Sequence, residues 1–208
     1  MDNKSRSRVT AYIDGFNLYF GLKSKRWERF LWLNVQALAV NLLKPDQTLI
    51  ATKYFTARVG SPPDKVKRQN TYLEALQTVP NLSILYGKFQ LNPFTCRNCQ
   101  HVHQISNEKM TDVNIAVELM QDAFQDRFDT ALLISADSDL VGLVRAVQRL
   151  FPQKRVVVAC PPGRFSANLC KASSAHFQIG HGAIEKSLFP DTVTTASGFA
   201  LVRPTSWR

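Results

Sequence analysis

Residues Ser135-Ala136-Asp137-Ser138-Asp139 follow a short apolar run, Ala131-Leu132-Leu133-Ile134, and precede a helical pattern. Two carboxylates therefore stand just past the end of a buried strand. A second apolar strand, Val9 to Ile13, ends in Asp14-Gly15-Phe16-Asn17, which offers a carboxylate and an amide together in a tight turn. In open α/β sheets, ligands sit outside the carboxyl ends of the strands, where the strand order reverses. If these two strands are neighbours, Asp14 and Asp137 converge. Carboxylates so placed repel one another unless a cation neutralises them. An oxygen-rich cluster of this kind suits a hard cation such as Mg²⁺ or Mn²⁺. Asp112 opens a third helical pattern, with Thr111 as its expected N-cap, and taken alone reads as a first-turn acid complementing the helix dipole. Asp139 has the same reading behind Ser138, while Glu118 reads as a solvated residue.

The elements that must position these acids alternate along the chain. Strands are expected at Val9–Asp14, Leu49–Ala57, Leu82–Phe89, Thr130–Ser135 and Arg155–Cys160. Helices are expected at Val35–Leu43, Asp64–Val79, Thr111–Gln125, Ser138–Leu150 and Phe165–Lys171, with Val113, Ala116, Val117, Met120 and Phe124 facing the sheet. Such alternation predicts right-handed crossovers, a mostly parallel sheet of about five strands, and helices on both faces. We read residues 1–189 as one α/β domain, with a polar insertion at about 90–108. Residues 190–208 read as a C-terminal extension whose apolar piece, Phe199 to Val202, has the makings of a strand added to a partner's edge, hence a possible homodimer.

The 208 residues carry 26 Lys and Arg against 16 Asp and Glu, a net charge of +10. That sign favours a polyanionic partner, nucleic acid first. No stretch approaches the roughly 18 apolar residues of a membrane span, and no apolar signal core follows Met1. Four cysteines in a chain this long do not make a disulfide scaffold, so a cytoplasmic setting is expected. No phosphate-cradling Gly-x-x-x-x-Gly-Lys-Ser/Thr or Gly-x-Gly-x-x-Gly loop follows the first strand, which disfavours nucleotide triphosphatase and dinucleotide readings. A phosphatase is disfavoured too, because that strand lacks an Asp-x-Asp pattern. For an acidic metal site with a basic surface around it, the natural chemistry is metal-assisted phosphodiester hydrolysis. The runner-up is a non-catalytic RNA-binding or regulatory module that retains the acids for fold or metal-linked stability.

Within the insertion, Cys96-Arg97-Asn98-Cys99-Gln100-His101-Val102-His103 holds a Cys-x₂-Cys knuckle, half of a structural zinc site. His101 and His103 alternate and could share a direction, with another subunit, His176 or His181 as the source of other ligands. The alternative is an exposed loop with reduced thiols. Cys160 and Cys170 read as core. For phosphate contacts, Lys53, Arg58, Lys65, Lys67 and Arg68 cluster about the end of the second strand. Lys109, Lys171 and above all Arg164 lie near other carboxyl ends. The Trp27–Trp32 stretch has the rings to stack bases, or to dock on the core.

Ile13-Asp14-Gly15-Phe16-Asn17, Lys109-Met110-Thr111-Asp112-Val113 and Ser135-Ala136-Asp137-Ser138-Asp139 together resemble the three signatures of NYN domains, the PIN-like ribonucleases, in the bacterial LabA-like branch. The resemblance spans about residues 8–180. It implies a PIN-like, Rossmann-like three-layer sandwich and Mg²⁺- or Mn²⁺-dependent cleavage of RNA; a crevice at strand ends, for its part, admits a flexible single strand more readily than a duplex. It also implies metal-binding roles for Asp14, Asp112, Asp137 and Asp139, with Asn17 and Ser135 as polar supports. Ala136 stands where glycine is commoner in that family.

Overall fold

A computed structural model describes residues 6–95 and 97–208, apart from the side chains of residues 91, 92 and 103–106. The core of the fold is a six-stranded sheet built from β1 (Ser7–Asp14), β2 (Gln47–Thr56), β3 (Leu82–Tyr86), β6 (Thr130–Ile134), β7 (Arg155–Cys160) and β8 (Ala175–Gln178). Their order is β3-β2-β1-β6-β7-β8, and every pairing is parallel. The sheet thus has six strands rather than five. The extra one, β8, is only four residues long and half polar, too short for a pattern to show.

β1 and β6 are fully buried over most of their length, as their unbroken apolar runs require of strands covered on both faces. One face carries α1 (Gly15–Ser24), α2 (Val35–Asn41) and α3 (Pro63–Gln77) over a core that includes Leu18, Leu38, Leu73 and Trp32. The other carries α4 (Thr111–Phe124), α5 (Val141–Leu150) and α6 (Ala167–Ala172), over Tyr12, Leu119, Val144 and Leu169. A short α7 (His181–Glu185) follows β8. The result is a three-layer sandwich whose strand order reverses between β1 and β6, so their carboxyl ends open a crevice.

Three local expectations change. The third strand stops at Tyr86. From Gly87 the chain leaves the sheet and forms an antiparallel hairpin of β4 (Lys88–Thr95) and β5 (Val102–Lys109). The insertion is therefore ordered β structure at its base. A Cβ on Gly87 would sit 2.6 Å from Lys109 O and 2.8 Å from Thr111 Oγ1, so only glycine lets the hairpin close onto the start of α4. Second, α4 buries Ile115, Leu119, Asp122 and Ala123, while Val113, Val117 and Phe124 are exposed. The helix is turned this way by a buried ion pair. Asp122 accepts from Tyr12 Oη at 2.6 Å, and Lys53 Nζ lies 2.5 Å from Asp122 and 2.7 Å from Glu118. Glu118 is thus a partner of Lys53 and not a solvated residue. Third, Gly15-Phe16-Asn17-Leu18-Tyr19-Phe20 is the first half of a helix that the aromatic content concealed.

The Trp27–Trp32 stretch docks on the core. Trp32 is fully buried and donates to Pro190 O at 2.8 Å, and Trp27 packs edge-on against His181. In the C-terminal residues β9 (Thr192–Thr194) pairs with β10 (Ala200–Val202), so the apolar piece finds its strand partner within the chain. Trp207 closes against Trp32 and Tyr72. Among the described residues no helix is long and apolar enough to cross a membrane.

Candidate metal centre and adjoining cleft

Asp14 is the last residue of β1 and the N-cap of α1: its Oδ1 accepts the Asn17 N–H at 2.9 Å. A Cβ on Gly15 would lie 2.6 Å from Phe55 O and from the Tyr54 ring, so a side chain there would push α1 off β2 and move Asp14 with it. Ser135, directly after β6, donates its hydroxyl to Asp14 Oδ2 at 2.9 Å and accepts the Asp137 N–H at 3.1 Å. Asn17 Oδ1 accepts the Ala136 N–H at 3.1 Å. Two adjacent strand ends are thereby stitched together by side chains from both.

Asp112 enters from the other side. It lies in the first turn of α4, behind Met110, whose φ of 78° turns the chain out of β5. Glu108, in place of Thr111, caps this helix: its Oε1 accepts the Thr111 N–H at 3.1 Å and also bonds the Thr111 hydroxyl. Similarly Asp137, rather than Ser138, caps the turn Ser138–Leu140, accepting the Asp139 N–H at 3.0 Å.

Ligand oxygens of Asp14, Asp112 and Asp137 lie within 4.8 Å of one another, and Asp14 is 3 % exposed. Asp139 is exposed and outside this group, although its charge reaches Asp112. Burial raises the Asp14 carboxyl to about 6 against the pull of Asn17 and Ser135, and Asp137 and Glu108 push it further. Burial likewise raises Asp112 to about 6, followed by the charges of Asp137, Asp14, Glu108 and Asp139. All three acids sit at helix or turn starts, whose partial positive charge offsets some of this repulsion. The remainder calls for a cation. Around Mg²⁺, oxygens at about 2.1 Å from the ion lie about 3–4 Å from each other, so the observed spacing fits one shared ion with small side-chain shifts. Glu108 is the acid that pattern reading overlooked; its signal was its place three residues before Thr111.

The other candidates are dispersed. Lys53 is held by Glu118 and Asp122 with its side chain 12 % exposed, so it is not an open cation. Arg164 is exposed and lies over the Phe20 ring at 6.0 Å. Lys109 ends β5, paired in register with Lys88. Arg58 donates to Asn70 Oδ1 at 3.0 Å and to Tyr86 Oη at 3.2 Å. Cys96 lies outside the described residues, as does the His103 side chain. Cys99 is exposed and His101 is exposed, while His181 is engaged with Trp27 and Phe30 far along the chain. Among the described residues the three aspartates form the one cluster with metal-ligand spacing.

Beside the cluster lies an open cleft of about 1220 Å³. Gly15, Thr56 and Glu108 border it next to the acids. Phe16, Phe20, Tyr86 and Phe89 wall it, and Arg58, Lys65 and Arg68 also line it.

A parallel α/β sandwich with three carboxylates gathered at its switch point defines a candidate metal site, and comparison with known proteins gives the family. The NYN domain family matches residues 8–180, and the chain belongs to that family. Over 96 % of its length it is 23 % identical to 75 % of 6-hydroxy-3-succinoylpyridine 3-monooxygenase HspA of Pseudomonas putida. It also shares its fold with the crystal structure of a protein of unknown function from Vibrio parahaemolyticus. There the TM-score is 0.56 at 17 % identity, covering 91 % of this chain and all of the other.

Proposed function

We propose that this protein is a metal-dependent endoribonuclease acting on single-stranded RNA. The observation that carries the reading is the meeting of Asp14, Asp112 and Asp137, from three distant segments, in a family of nuclease-like domains. Those three side chains would hold Mg²⁺ or Mn²⁺. The bound ion supplies charge neutralisation at the scissile phosphate and acidifies an attacking water. The chain's own residues do the rest. Ser135 and Asn17 hold both oxygens of Asp14 in place, and the start of α4 presents Asp112 opposite. Asp139, exposed two residues after Asp137 and acting through its charge on Asp112, would take up the proton that the water releases. A basic surface, +10 overall, draws the polyanion in.

The test is incubation of labelled single-stranded RNA with Mn²⁺, comparing the wild type with Asp137→Asn. Loss of cutting in the variant is expected. Equal cutting by both proteins would assign the activity to a contaminant, and binding without cutting by either would make this an RNA-binding module. A second reading comes from the aromatic walls and cationic lining of the cleft, which suit an aromatic acid of the kind named for the Pseudomonas relative. Asp137-dependent cutting of RNA separates the two.

A further inference from the structure

The cations of this chain fall into two sets. Arg8, Lys53, Lys154 and, within the cleft, Arg68 are committed to carboxylates at 2.5–3.0 Å. In the cleft, Arg58 and Lys65 have no carboxylate within 4.0 Å among the described residues. Arg58 is instead held by neutral groups, its guanidinium 4.8 Å above the Tyr86 ring and bonded to Tyr86 Oη and Asn70. That leaves its charge uncompensated and its direction set, the condition for meeting an anion from solution.

The same cleft displays rings. Phe20 is 47 % and Tyr86 38 % exposed, so both rings are open to solvent within the cleft. Phe20 stacks on Phe16 at 6.5 Å and 23°, and Phe89 meets Phe16 edge-on at 5.7 Å. The ring ladder therefore runs from α1, just after Asp14, across to β4, on the two sides of the opening. Glu108 borders the cleft and acts on both Asp14 and Asp112, so the rings start where the acids end.

We propose that this cleft is a base-stacking subsite for single-stranded nucleic acid. One or two unpaired bases next to the scissile phosphate lie against Phe20 and Tyr86, with the following phosphates on Arg58 and Lys65. The proposal rests on RNA being the substrate. Only unstacked bases can offer their faces to side chains, so the site takes single strands and refuses duplex. Every base has a π-face, so it reads no particular sequence. At about 1220 Å³ the cleft exceeds the roughly 300–1,000 Å³ typical of a small-molecule pocket, which suits a run of chain better than one small ring compound.

The test measures fluorescence anisotropy of a labelled single strand of about ten nucleotides on the full chain in EDTA, so that nothing is cut. A strand of the same length carrying abasic sugars serves as comparison. The wild type is expected to bind the base-bearing strand about 5- to 150-fold more tightly than the abasic one. The Phe20→Ala/Tyr86→Ala double variant should bind both alike, and Tyr86→Phe should keep most of the preference. Melting curves check that each variant folds, and both truncated rings are surface-exposed. Equal affinity of the wild type for both strands would overturn the proposal, leaving charge alone. So would failure to bind either strand, or displacement of the base-bearing strand by a pyridine carboxylate at micromolar concentration. If the stacking signature is present but Mn²⁺ produces no cutting, the nuclease reading fails while the subsite stands.

Discussion

Ser135 Oγ bonds Asp14 Oδ2 at 2.9 Å while receiving the backbone N–H of Asp137 at 3.1 Å, so one hydroxyl sets the spacing of two carboxylates from different strands. Ser135 is itself fully buried. Both bonds join the chain's own groups, so Ser135 ties the two acids to each other directly.

Replacing Ser135 with Ala tests that relationship. Asp14 loses an orienting donor and the Asp137 N–H loses its acceptor. Groups that orient metal-binding side chains typically contribute about 10–100-fold in affinity, and that loss is expected in Mn²⁺ titration calorimetry of S135A. The melting temperature should drop only modestly, in line with a hydrogen-bond cost of about 1–3 kcal/mol. Unchanged Mn²⁺ affinity would show that Asp14 is held by its cap alone.

The raised carboxyls make a signed prediction about pH. Asp14 and Asp112 hold their protons to about 6 in the folded chain, against 3.8 ordinarily. Between about pH 4 and 6 the folded state binds more protons than the unfolded one, so stability should fall as pH rises through this window. The contribution is full below the unfolded value and gone above the folded one. Asp126 and Asp129 are lowered by Lys154 and Arg8 respectively, so their contribution is lost only as pH falls below the ordinary range. Chemical denaturation across pH should show the first slope in the wild type and a shallower one in D14N. Added Mn²⁺ should stabilise more at pH 7.5 than at pH 5, since ion and proton compete for the same oxygens.

Lys53 separates structure from substrate contact. In K53M, Asp122 is left buried with Tyr12 and a partly exposed Arg127, and a loss of about 3–5 kcal/mol is expected on equilibrium unfolding. K53M/D122L should recover much of it. RNA affinity per folded molecule should not change in either, because this ammonium points into the α4–β2 contact. A selective loss of RNA binding in K53M would contradict the assignment.

Gly87→Ala addresses the seam between the hairpin and α4. A methyl at 2.6 Å from Lys109 O forces the base of the hairpin outward and carries the start of α4 with it. We expect activity and Mn²⁺ affinity to fall further than stability does. Equal, proportionate losses would mean that the seam only supports the fold.

That β1 and β6 are buried strands ending in acids was legible because both are unbroken apolar runs ended by polar turns. That signal needs no knowledge of packing, whereas their pairing stood only as a condition that the strand order supplies. The facing of α4 was not legible. Its apolar residues lie on two sides, and the side that is buried is selected by Asp122, whose partners Lys53 and Tyr12 are about 70 and 110 residues away in sequence. Glu108 was hidden for a different reason: it sits in a polar stretch where one more acid carries no contrast. The short β8 and α7 offered too few residues for any period to be read.

The β4–β5 hairpin stands apart from the six-stranded sheet and is fastened at its root, where Lys88 faces Lys109 two residues before α4 begins. Its outer end around residues 97–101 is exposed. The outer end can thus be lengthened, shortened or redecorated while the root keeps Asp112 in register. Changes made there would leave the spacing of the three aspartates untouched.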